Sequence, residues 1–142
     1  GDKKDHMHHA SDVFKIGEEH QAQLEITDSL LSEFETLSGD HNPMHVDSAY
    51  AQSFGFPRHI AFGNILGLII SQLVGVKLPV ENVIIISQKV KYILPFFQGD
   101  WVFLKGIVTD VSDSVSVITL RLSFKNQNSA IIATGECIIK ML

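Results

Sequence analysis

The chain has 142 residues, 45% of them hydrophobic and 19% charged, with a formal net charge of −5. That is the length of one domain with its own core, and the composition excludes a disordered chain. Eleven basic against 16 acidic residues argue against a basic nucleic-acid face, and the single cysteine, Cys137, rules out an intrachain disulfide and fits a reducing compartment.

Residues 1–12 are polar and carry His6, His8 and His9. They read as a solvated, poorly ordered tail rather than a metal site, which leaves residues 13–142 as the domain. Residues 14–26 carry a weak strand signal, clearest in the alternation from Gln21 to Ile26. Thr27 is suited to cap a helix, with Asp28 in its first turn and Leu30, Phe34 and Leu37 on one face. Gly39 is suited to end it in the left-handed conformation. The next segment, Asp40 to His45, reads as irregular, because Pro43 disfavours helix at Asn42. Asp47 then caps a short helix from Ser48 to about Ser53.

From Phe62 to Val74 the sequence is apolar nearly all round, which predicts a buried helix closed by Gly75. Asn64, Ser71, Gln72 and the glycines interrupt this region, so it is no membrane span. The N-terminal residues lack the apolar core of a signal peptide, and a cytoplasmic location is expected. After residue 80 four stretches are rich in β-branched and aromatic residues: Val83–Leu94, Trp101–Val111, Val115–Lys125 and Ala130–Met141. Turn residues separate them, which predicts long strands in meander order in one antiparallel sheet. In the third, Ile118, Leu120, Leu122 and Phe124 form the apolar face. Cys137 belongs to the core, whereas His20 and His41 are expected at the surface. The economical architecture is α+β: a curved antiparallel sheet around one hydrophobic helix.

Chemistry concentrates between Ser38 and His45. Asp40 and His45 are five apart in a bent segment, so a carboxylate and an imidazole can meet on one water as an acid/base pair. The same spacing also suits a turn-capping aspartate and a hydrogen-bonded, buried histidine. Ser38-Gly39-Asp40-His41-Asn42-Pro43-Met44-His45, followed by Asp47 and Ala51, resembles the signature of the MaoC-like, (R)-specific enoyl-CoA hydratases. Phe34 and Leu37 before it, the segments Pro57–Asn64 and Leu94–Asp100, and Gly135-Glu136 extend the resemblance over roughly residues 12–142.

The resemblance implies a single hotdog domain, working as a homodimer or higher homo-oligomer. The implied reaction is reversible addition of water to a trans-2-enoyl thioester carried on coenzyme A or acyl carrier protein, with no further cofactor and no metal. Asp40 and His45 become the catalytic residues, the Gly63 backbone N–H the donor to the enolate oxygen, and Asn42 and Ser71 supports of the loop. Many members have histidine before that glycine; here Phe62 and Asn64 flank it, making the pocket more apolar on one side and more polar on the other. Arg58, His59, Phe62, Asn64, Lys89 and Lys91 are candidate substrate contacts, the cations for an anionic carrier. The alternatives are a catalytically weak hotdog subunit that binds acyl thioesters in a hetero-oligomer, and a hotdog acyl thioesterase.

Overall fold

A computed structural model describes residues 9–142. His6 and His8 lie outside the described residues, but the end of the expected tail is folded. Residues Ala10–Val13 form one helical turn (α1) with Ala10 fully buried. Ser11 ties this turn to the distant Asp113 through its backbone N–H (2.8 Å) and its hydroxyl (2.5 Å), and these bonds hold the Asp113 carboxyl below its usual range.

Strand β1 spans Glu19–Glu25 and helix α2 spans Asp28–Ser38. Thr27 Oγ1 accepts the Leu30 N–H at 3.0 Å, and α2 ends on the left-handed Gly39. Its inner face differs from the expected one: Leu31 is buried with Leu30 and Phe34 against the core, while Leu37 is 88% exposed. Two short helices follow, α3 over Pro43–Val46 and α4 over Ser48–Gln52, the latter capped by Asp47 as the sequence suggests. Helix α3 lies where an irregular loop was expected. Pro43 occupies its first turn, where the missing N–H costs nothing, so the proline starts a helix instead of preventing one.

The apolar helix α5 spans Ile65–Gln72. Gly75 does not close it, because the chain continues through a wide π-type turn over Leu73–Lys77. Ile65, Leu66, Ile69, Ile70 and Leu73 are buried, while Asn64, Leu68 and Ser71 share an exposed stripe. No helix among the described residues is long and apolar enough to cross a membrane.

Four long strands complete the fold: β2 (Val83–Tyr92), β3 (Trp101–Ser112), β4 (Val117–Asn126) and β5 (Ile131–Met141). All pairings are antiparallel, in the order β1-β3-β4-β5-β2. The expected meander therefore holds only for β3, β4 and β5. β2 sits at the far edge against β5, because the connection to β3 is a long strap containing Pro95 and not a tight hairpin. Asp100 fixes the end of that strap by accepting the Phe97 N–H and the Gln127 amide, each at 2.9 Å. The inner face of the sheet, with Leu104, Leu120, Phe124 and Cys137, packs around α5.

Candidate active site

The loop between α2 and α3 is a run of interlocked turns. Ser38 Oγ accepts the Asp40 N–H (3.0 Å), and Asp40 Oδ1 accepts the Asn42 N–H (3.0 Å). Asn42 Oδ1 accepts the Met44 N–H (3.0 Å), and the Asn42 carbonyl accepts the His45 N–H (2.9 Å). Short polar side chains that mimic backbone turns explain why this sequence bends so tightly. Asp40 and His45 are thus the two ends of one hydrogen-bonded frame, both half-buried, with no direct bond between them among the described residues.

His45 is oriented from two sides. Its Nδ1 donates to the Ile60 carbonyl at 2.8 Å. In the neutral ring the proton therefore sits on Nδ1, and Nε2 keeps its lone pair. The imidazole rests on the Phe62 ring (centroids 4.6 Å apart), which rests in turn on Phe34 (4.8 Å). The Met44 carbonyl accepts the Ile60 N–H (3.0 Å), which pins the loop to the segment leading into α5. That segment ends at Gly63, whose N–H meets no acceptor among the described residues and lies beside the N-terminus of α5. A free N–H at the positive end of a helix suits an oxygen that gains negative charge.

The structure separates the other candidate residues. Phe62 is 2% exposed; its partners are protein rings, so it is a shelf under His45 and not an open pocket wall. Asn64 lies at the start of α5 and accepts a long hydrogen bond from the Tyr92 hydroxyl (3.4 Å). His59 is tied to Ser48, Nδ1 to Oγ at 2.8 Å, and Arg58 stacks its guanidinium over Phe97 at 4.6 Å. Ser71 is exposed on α5 and makes no hydrogen bond to residues 40–45, because the helical period carries it away from the buried face. Lys89 and Lys91 alternate with Val90 and Tyr92, so they point to the outer face of the sheet, opposite the side on which Tyr92 meets Gly63. Of the histidines read as surface residues, His41 is exposed beside Glu35, but His20 is half-buried and edge-on to Phe14. No group of three or more His, Cys, Asp or Glu that could hold a metal occurs among the described residues. Three site features escape a reading of residue types: the Ile60 carbonyl, the Phe34–Phe62–His45 stack, and Tyr92. Each depends on contacts distant in sequence.

A curled antiparallel sheet on one apolar helix, with an aspartate and a histidine framed in the loop before that helix, defines a hotdog-fold protein of the hydratase type. A profile of the MaoC like domain matches residues 13–126. The chain belongs to this family. It is 35% identical over 108 residues to the (R)-specific enoyl-CoA hydratase of Aeromonas caviae, covering 76% of this chain and 81% of that protein. It is 32% identical over 115 residues to the (R)-specific enoyl-CoA hydratase of Rhodospirillum rubrum, covering 81% and 79%. Its structure superposes on the solved (R)-hydratase from A. caviae, described as involved in PHA biosynthesis, with a TM-score of 0.84 at 30% identity, covering 91% of this chain and 98% of that one.

Proposed function

We propose that this chain is a hydro-lyase that adds water reversibly to trans-2-enoyl thioesters and yields (R)-3-hydroxyacyl thioesters. The observation that carries this reading is the fixed tautomer of His45: a basic Nε2 at one end of the frame that holds Asp40 at the other. Nε2 takes a proton from water as the oxygen adds to Cβ. Electrons move to the thioester oxygen, which the Gly63 N–H stabilises. Cα then takes a proton from the Asp40/His45 pair on the same face, and the pair returns to its starting state. Asn42 holds the frame, and Arg58, stacked over Phe97 of the strap, meets the phosphates of the carrier, coenzyme A or acyl carrier protein. Phe62 acts through His45, and no cofactor enters this scheme. The lone thiol of Cys137 suits a cytoplasmic setting, and the unpaired edge of β2 suits assembly of two copies.

The test is the ultraviolet absorbance of a short trans-2-enoyl-CoA with purified protein, followed by chiral analysis. Loss of the enoyl band with (R)-3-hydroxyacyl product is expected. Asp40→Asn and His45→Ala should each lower kcat by about 10²–10⁴-fold. Release of free thiol would instead identify a thioesterase. Binding without turnover would identify an acyl-binding subunit.

A further inference from the structure

The departure from the family's usual residues around Gly63 has a counterpart on β2. A Cβ at Gly63 would lie 2.9 Å from Tyr92 Cε1 and 3.1 Å from Cζ, so the Tyr92 ring stands directly on the bare face of this glycine. The hydroxyl reaches on to Asn64 Oδ1 at 3.4 Å, long enough that the ring's placement rests on packing more than on this bond. The ring is half-exposed, and its partial burial raises the phenol pKa.

Tyr92 lines an open cavity of about 200 Å³ with Ile60, Ala61, Gly63, Leu94 and Phe96, of which Tyr92 and Leu94 are half-exposed. The cavity is mostly apolar, and one of its walls, Ile60, carries the carbonyl that holds His45. Its backbone walls are fixed: the Ala61 N–H donates to the Phe96 carbonyl (2.8 Å), and the Ile93 and Leu94 N–H groups both donate to the Ile132 carbonyl (2.8 and 3.1 Å). Small-molecule pockets commonly measure about 300–1,000 Å³, so this one has room for only a few carbons.

We infer that the Tyr92 ring is the stop that limits this enzyme to short acyl chains. This rests on the enoyl-thioester reading of the same site. The acyl tail enters past Gly63, where the thioester oxygen is held, and ends against Tyr92. A shorter side chain at position 92 joins the cavity to the space now filled by the ring.

The experiment compares crotonyl-, trans-2-hexenoyl-, trans-2-octenoyl- and trans-2-decenoyl-CoA with wild type, Tyr92→Ala, Tyr92→Leu and Tyr92→Phe. In the wild type kcat/KM should fall steeply beyond hexenoyl. The Ala and Leu variants should raise the decenoyl-to-crotonyl ratio of kcat/KM by about tenfold or more. Tyr92→Phe keeps the ring and should keep the wild-type order of chain lengths. Thermal shifts with saturated butyryl- and decanoyl-CoA read the same limit without turnover and apply to any folded variant. An unchanged order of chain lengths in folded Ala or Leu variants, or a wild type that takes decenoyl-CoA as well as crotonyl-CoA, overturns the inference. A wild type that turns over none of the four thioesters refutes the hydratase reading instead. The thermal-shift order then decides the chain limit alone, an equal response of wild type to both saturated thioesters refuting it.

Discussion

Phe62 shows how a side chain can serve a site it does not face. Its neighbours are Phe34 on one side and the His45 ring on the other, so it transmits the position of α2 to the imidazole. Phe62→Leu is expected to lower kcat by about 10–100-fold with little change in KM, since a misplaced base costs rate more than binding. A change confined to KM would mean that Phe62 touches substrate after all. Residue type alone cannot separate these roles, because a phenylalanine fits both. The tight turn that carries Asp40 and His45 was legible because their spacing and the proline between them are local. Cys137 was legible as a core residue, and burial pushes its thiol up to about 11. The unfolded thiol ionises near 9.0, whereas the folded one resists. Its contribution is complete below pH 9 and is lost as pH rises through the folded value. That difference corresponds to about 2–3 kcal/mol. Denaturation series at pH 8 and pH 11 should show that loss in the wild type and a smaller one in Cys137→Ala.

At the scale of elements, the caps, the strands and the β3-β4-β5 meander were readable and the place of β2 was not. Thr27, Asp47 and the alternation in β4 are local signals, and each element lies where they indicate. The pairing of β2 with β5 depends on a close approach that no local pattern announces. A Cβ at Gly135 would lie 2.2 Å from the Lys89 carbonyl oxygen, so the two backbones fit only without a side chain there. Gly135→Ala must push β2 outward and should destabilise the fold by about 3 kcal/mol or more, read from the urea midpoint. The same displacement would move Tyr92, so activity in this variant should fall along with stability. The exposed stripe on α5 likewise escaped a reading of composition. Asn64 and Ser71 interrupt the apolar run at the spacing that places both, with Leu68, on one side of the helix.

At the scale of the molecule, β2 leaves one edge of the sheet unpaired, with Ile84 (47% exposed), Ile85 (36%) and Ile86 (51%) on it. Long, apolar edges are unusual in chains that work alone. Sedimentation of the wild type is expected to give the mass of two chains, with a Tm that rises with protein concentration. Ile84→Lys combined with Ile86→Lys should shift the mass to one chain. A wild type sedimenting as a single chain would show that this edge stays open. The single-domain length was plain in the composition, but the expectation of self-assembly came only through resemblance, since an edge exists only once the sheet has an order.

That order also dictates a history for the chain. β2 emerges from the ribosome well before β5, yet β5 is its only neighbour in the sheet among the described residues, and Val83 waits for Met141. Meanwhile β3 can pair with β1, which precedes it, and β4 with β3. Synthesis therefore passes through an interval in which a three-stranded sheet is complete while an isoleucine-rich strand has no place to bind. Long-range pairing of this kind slows folding and exposes the chain to aggregation. The yield of folded protein should thus depend on how quickly β5 follows, which makes the speed of translation through the final strands a determinant of solubility.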